Sequence, residues 1–118
     1  MNEFNSGIPI YIQVINKLKK QMALSLLKPG DKLPSSRELA LEFSINPNTA
    51  GRVYREMELL GLCFTKRGLG TFVTEDENMV NSIKANMAKE YTQKYVTSMK
   101  SLGYKKSEMI ALVESEEI

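Results

Sequence analysis

Histidine and tryptophan are absent from this 118-residue chain, and cysteine occurs once, at Cys63. Without histidine there is no Ser-His-Asp triad and no imidazole to ligate a metal. A single cysteine excludes a four-cysteine zinc site and any disulfide within the chain, and it fits a reducing, cytoplasmic setting. No apolar run approaches the roughly 20 residues that a membrane-spanning helix needs, so no membrane partner is expected. Met1-Asn2-Glu3-Phe4 lacks the basic start and apolar stretch of a secretion leader, and none is expected there. No paired-carboxylate motif stands out either. An enzyme would have little to work with, and neither a metal nor a cofactor is expected.

What is present is the composition of an ordinary globular domain, 42% hydrophobic and 25% charged. The net charge of +2 says little by itself, but its distribution says more. Residues 1–74 carry ten Lys/Arg against six Asp/Glu, whereas residues 75–118 carry six against eight. An anionic partner would therefore bind the front of the chain.

The hydrophobic pattern divides the chain into five helices and one hairpin. Pro9 suits a first helical turn, and Ile10, Tyr11, Val14, Ile15, Leu18, Met22 and Leu26 follow at helical spacing. Lys28-Pro29-Gly30-Asp31 reads as the turn that ends this helix. Ser35 and Glu38 have capping-box spacing for a short second helix with Leu39, Ala40 and Phe43 on its apolar face. Ser44-Ile45 makes a tight break. Asn46 can cap a third helix, with Pro47 in its first turn and Ala50, Val53, Tyr54, Met57 and Leu60 as its buried stripe. Gly61 stops it. Leu62–Thr65 and Thr71–Thr74 read as strands joined by Lys66-Arg67-Gly68-Leu69-Gly70. Glu75-Asp76-Glu77 marks a domain boundary and an acidic helix start. A helix of about 24 residues follows, ending near Gly103, and Ser107 can cap a last short one.

Helix, short helix, tight turn, helix, hairpin is the order of a winged helix-turn-helix in residues 1–74. The expected class is α+β, mainly α, with residues 75–118 as a two-helix appendage. A helix that enters a DNA groove needs small polar side chains and open N–H groups at its start, and Asn46, Asn48 and Thr49 supply them. Arg52 and Arg55 follow on the polar side. Arg37 is a further long cation able to reach a guanine edge or a phosphate. Lys66 and Arg67 put two cations at the wing, where Gly68 and Gly70 allow close approach to a groove. Solvated helix arginines are common, so Arg52 and Arg55 stay open between base, phosphate and solvent.

These segments resemble the GntR family of transcription factors. Lys28-Pro-Gly-Asp-Lys-Leu-Pro-Ser-Ser-Arg-Glu-Leu-Ala40 is similar to the family's opening motif. Ile45-Asn-Pro-Asn-Thr-Ala50 and Val53-Tyr-Arg-Glu-Met-Glu58 resemble the recognition helix of its YtrA-like branch. Arg67-Gly-Leu-Gly-Thr-Phe-Val73 matches the family's wing. The resemblance implies a bacterial, cytoplasmic, homodimeric regulator, such as a repressor, that binds an inverted-repeat operator on double-stranded DNA. In the YtrA-like branch an adjacent transporter operon is the expected target. The resemblance also implies that Ser35 and Ser36 contact phosphate, that Arg37 reads DNA, and that Asn46, Asn48 and Thr49 occupy recognition-helix contact positions. Pro47 and Gly51 stand where other branches often carry contacting arginines.

Met79, Ile83, Met87, Tyr91, Tyr95 and Met99 recur every four residues. With Ile110 and Leu112 they make an apolar face expected to bind a second copy of the chain. Methionines also suit an adaptable pocket, so a small-molecule effector site there stays open. Cys63 reads as a small buried hydrophobe. A winged-helix module that binds protein instead of DNA is the alternative, and a steep salt dependence of duplex binding would separate the two.

Overall fold

The computed structural model describes residues 4–118, so Met1-Asn2-Glu3, part of the stretch read as lacking a leader, lies outside the described residues. The elements are α1 (Ile10–Ala23), α2 (Ser36–Phe43), α3 (Pro47–Leu59), β1 (Cys63–Lys66), β2 (Gly70–Val73), α4 (Glu77–Ser101) and α5 (Lys106–Glu114). This is the winged helix-turn-helix order followed by two helices. The chain forms two compact units, one ending at Lys84 and one spanning Ala85–Ile118. The first unit therefore runs past the expected Thr74 boundary and takes in the first turns of α4. Among the described residues no helix is long and apolar enough to cross a membrane.

In the first unit α3 packs on α1, α2 and β1. Val14, Leu18 and Met22 of α1, Leu39 and Phe43 of α2, and Ala50, Val53 and Met57 of α3 make the core. Leu33, Leu62, Cys63 and Val73 close it from the wing side. The strands pair antiparallel, Cys63 with Val73 through Lys66 with Gly70. The wing loop is thus only Arg67-Gly68-Leu69, one residue shorter at each end than expected.

A single bridge just after the Lys28–Asp31 turn, which the sequence pattern does not signal, extends the ribbon. Lys32 bridges Phe72. Leu33 N–H donates to Thr71 O at 2.8 Å, and Val73 N–H donates to Asp31 O at 2.8 Å. The expected Lys28–Asp31 turn is also present, closed by Lys28 N–H donating to the Asp31 carboxylate at 2.8 Å.

The helix ends share one device. In α1, Leu26 N–H donates to Gln21 O at 2.8 Å and Ser25 N–H to Met22 O at 3.0 Å, with Ser25 at φ 61°. That is the Schellman pattern. It recurs at Ser44 (φ 55°), Gly61 (φ 76°) and Gly103 (φ 89°), where Ile45, Leu62 and Tyr104 reach back to Ala40, Met57 and Met99. Two of the four ends use serine, so glycine signals alone miss them. Because α1 stops at Ala23, Leu26 lies beyond the helix and is 69% exposed instead of continuing the stripe. Leu60 is 53% exposed because it caps α3, and Leu62 after the left-handed turn fills the core in its place. Pro9 stands at the N-cap, just before the first turn, and the Gln13 carboxamide bonds Asn5 and Ile8 beside it. Lys105, not Ser107, precedes α5, and its N–H donates to the Glu108 carboxylate at 2.9 Å.

A left-handed serine costs about 1–3 kcal/mol, and glycine relieves that while losing about 0.5–1 kcal/mol in chain entropy. Ser44→Gly should therefore stabilise the first unit by about 1 kcal/mol. Urea denaturation measures this, and an unchanged or lower midpoint would show that Ser44 is held by something besides the turn.

Candidate nucleic-acid interface

The capping box at α2 is complete. Glu38 N–H donates to Ser35 Oγ at 3.1 Å, and Ser35 N–H donates to Glu38 Oε1 at 2.9 Å. The Ser35 N–H, and to a smaller extent the Ser35 hydroxyl, holds the Glu38 carboxyl below its ordinary range. Ser35 is therefore a cap in the free protein, with Ser36 half-buried and Arg37 exposed behind it. At α3, Asn46 caps by accepting Asn48 N–H at 2.7 Å. Asn48 is exposed and Thr49 half-buried on the first turn.

The angle between α2 and α3 is pinned by Tyr54, whose hydroxyl donates to Pro34 O. Burial pushes this phenol well above its ordinary range, so it stays a neutral donor. The wing is tied to α3 by Glu58, which accepts Thr65 N–H at 2.9 Å.

The arginines of α3 are held rather than loose. The Arg52 guanidinium lies 3.9 Å above the Tyr11 ring of α1. Tyr11 was expected only as part of the α1 apolar stripe. Its role in holding Arg52 was not legible, because it depends on which face of α1 meets α3. Arg55 folds back along its own helix, and a Cβ on Gly51 would sit 3.3 Å from Arg55 Nη1. The bare backbone at Gly51 thus serves an arginine four residues on.

On the wing, Phe64 and Phe72 stack at 5.7 Å, and Lys66 Nζ lies 5.6 and 5.5 Å from their ring centres. Arg67 and Gly68 are exposed in the loop, and nothing lies within 4 Å of where a Gly68 Cβ would be. Gly70 differs, because its φ is +123° and a Cβ there would meet Lys32 Cε at 3.0 Å. Lys32 is the wing residue that sequence reasoning missed. The expected sites therefore fall on α2, α3 and the wing. The resolved side-chain contacts join Arg52 to Tyr11, Arg55 to Gly51 and Lys66 to the phenylalanine pair.

Cys63 is buried, with Sγ 3.7 Å from Tyr54 O. Burial, with a smaller contribution from Glu58, pushes its thiol up to about 12. A buried, protonated thiol is a poor nucleophile.

In the second unit Tyr95 donates its hydroxyl to Met109 O at 2.8 Å, tying α4 to α5. Tyr91, Val96, Ile110 and Val113 line an open apolar groove of about 510 Å³ there. The residues of the expected dimer face differ in exposure. Ile83 and Met87 are only 5% and 9% exposed within the single chain, so they have little surface to offer a partner. Met79 is half-buried, with its methyl 3.4 Å from where a Gly61 Cβ would be. Met99 is half-buried, and Leu112 is 40% exposed.

The sequence profile described as "Bacterial regulatory proteins, gntR family" matches residues 10–73. The chain is 43% identical over 109 residues to the uncharacterized HTH-type transcriptional regulator YhcF of Bacillus subtilis, covering 92% of this chain and 90% of that one. It is 46% identical over 71 residues to the HTH-type transcriptional repressor YtrA of the same organism, covering 60% of this chain and 55% of that one. A GntR family transcriptional regulator from Listeria monocytogenes superposes with a TM-score of 0.90 at 34% identity, covering 97% of this chain and all of that one.

A thiol raised to about 12 is almost wholly protonated at pH 8. Iodoacetamide should therefore leave Cys63 unmodified in the native protein at pH 8 and alkylate it readily in 6 M guanidinium. Rapid native labelling, followed by mass spectrometry, would show a hidden path to the sulfur.

Proposed function

Since this chain belongs to the gntR family and is a DNA-binding transcriptional regulator, not an enzyme, we propose that it acts in the cytoplasm as a homodimeric repressor of an inverted-repeat operator. Each first unit reads one half-site. Arg37, Asn48 and Thr49 reach base edges or nearby phosphates, with the Asn46-capped start of α3 toward the duplex. Ser36, Lys66 and Arg67 grip the backbone, and Gly68 and Gly70 let the wing approach it. Arg52, stacked on Tyr11, presents one fixed edge of its guanidinium. Arg55 lies further along the same helix.

The observation that carries the dimer is the apolar face of the second unit. Ile110 and Val113 are each 49% exposed, and Leu112 is 40% exposed beside them. Leaving large apolar side chains in water forfeits about 1.5–3 kcal/mol apiece, and a second copy of the same face is the simplest cover. Tyr91 and Tyr95 line the groove with Ile110 and Val113, and Met99 follows one turn on along α4. The same groove is where a small apolar effector would act on the spacing of the two reading heads. The name of the relative YtrA supports repression. A neighbouring transporter operon as the target rests on the YtrA-like resemblance alone.

Two measurements test this reading. Selection from a random duplex library with the full chain should return an inverted repeat. On that sequence Arg37→Ala should cost about 1–3 kcal/mol of discrimination while sparing random duplex. Equal losses on both would make Arg37 a phosphate contact. In sedimentation equilibrium the full chain should run at twice its 13.3 kDa mass, and Ile110→Asp should run as a folded monomer. A wild-type monomer at micromolar concentration, or an Ile110→Asp dimer, would overturn the assignment of this face.

A further inference from the structure

Lys32 and Lys66 stand on one face of the wing ribbon, and the geometry of that face is specific. Leu33 N–H and Asp31 O make the ladder bonds to β2, on either side of Lys32. Lys32 and Phe72 are therefore a non-hydrogen-bonded antiparallel pair, the kind whose side chains lie closest. Phe72 in turn pairs with Phe64, and the next pair on that face is Lys66 with Gly70. The alternate positions Cys63 and Val73 point the other way and are buried in the core. The outward face is thus a floor of two stacked rings with a lysine from each flanking strand. Lys66 Nζ lies 5.5 Å from the Phe72 ring centre, and Lys32 Cε lies 3.0 Å from where a Gly70 Cβ would be.

Both lysines are exposed on this small ribbon. The nearby Glu38 carboxylate feels Lys32, but as the smallest of the four influences on it. A polyanion laid along the ribbon is a better partner for two cations than one capped carboxylate. The end of the Lys32 side chain lies over the bare backbone of Gly70, whose φ of +123° suits glycine.

We infer that Lys32 is a backbone-gripping residue of the DNA interface, presented beside Lys66 on the outward face of the ribbon. This rests on the family's DNA binding and on no particular operator. Lys32 contacts phosphate, so its effect is blind to sequence and largest at low salt.

The test uses the full chain and a random-sequence 24-base-pair duplex, with affinity measured from 50 to 200 mM salt. Each phosphate contact contributes about 0.9 to the slope of log affinity against log salt. Lys32→Ala should lower the slope by about 0.9 per bound chain, Lys32→Arg should keep it, and Lys89→Ala on α4 should leave it unchanged. Lys32→Ala leaves every ladder bond in place, so its urea midpoint should match the wild type. An unchanged slope in Lys32→Ala, or weaker binding with the slope intact, overturns the contact.

Discussion

Everything in the first unit depends on the burial of one face of α3. Ala50, Val53 and Met57 are fully enclosed between α1, α2 and β1. Burying those side chains contributes several kcal/mol, and rotating the helix by one residue would forfeit most of it. The helix therefore has one permitted orientation, and its polar face is displayed by default. Asn48, Arg52 and Arg55 are exposed because Ala50, Val53 and Met57 are not. Ala50, the smallest of the three, leaves room for α2 to come close. Tyr54 then fixes the approach by donating to Pro34 O, just before the cap of α2.

An oriented helix still needs ordered side chains. Arginine carries about 2 kcal/mol of rotamer entropy, which binding would otherwise have to offset. Stacking Arg52 on Tyr11 and laying Arg55 across Gly51 removes part of that freedom before any partner arrives. The helix ends serve the same purpose at the backbone level. Four of them close on a left-handed residue, which turns the chain sharply and lets the next element begin at once. Only in this way can α2 and α3 follow each other with so short a link.

The second unit follows a different logic. Tyr95 and the buried Met109 clamp α5 to α4, yet Ile110, Leu112 and Val113 stay in water. A two-helix unit has too little surface to enclose its own apolar side chains.

Much of this was legible in the residues. Capping signals are local: Ser35 with Glu38, and Asn46 with Pro47, specify helix starts through bonds that span at most three residues, and the structure has both. The arrangement of the DNA-reading elements follows from their order and from the Lys28–Ala40, Ile45–Glu58 and Arg67–Val73 blocks. What the sequence could not determine depends on partners far along the chain. Lys28–Asp31 reads as a turn and is one, but the pairing of Lys32 with Phe72 exists only because the wing folds back beside it. Tyr11 belongs to an apolar stripe by spacing and becomes an arginine platform only when α1 meets α3. Ile83 and Met87 carry the same periodic signal as Tyr91 and Tyr95. Periodicity shows that a face is apolar, whereas only the tertiary structure decides whether the chain's own residues cover that face or leave it open.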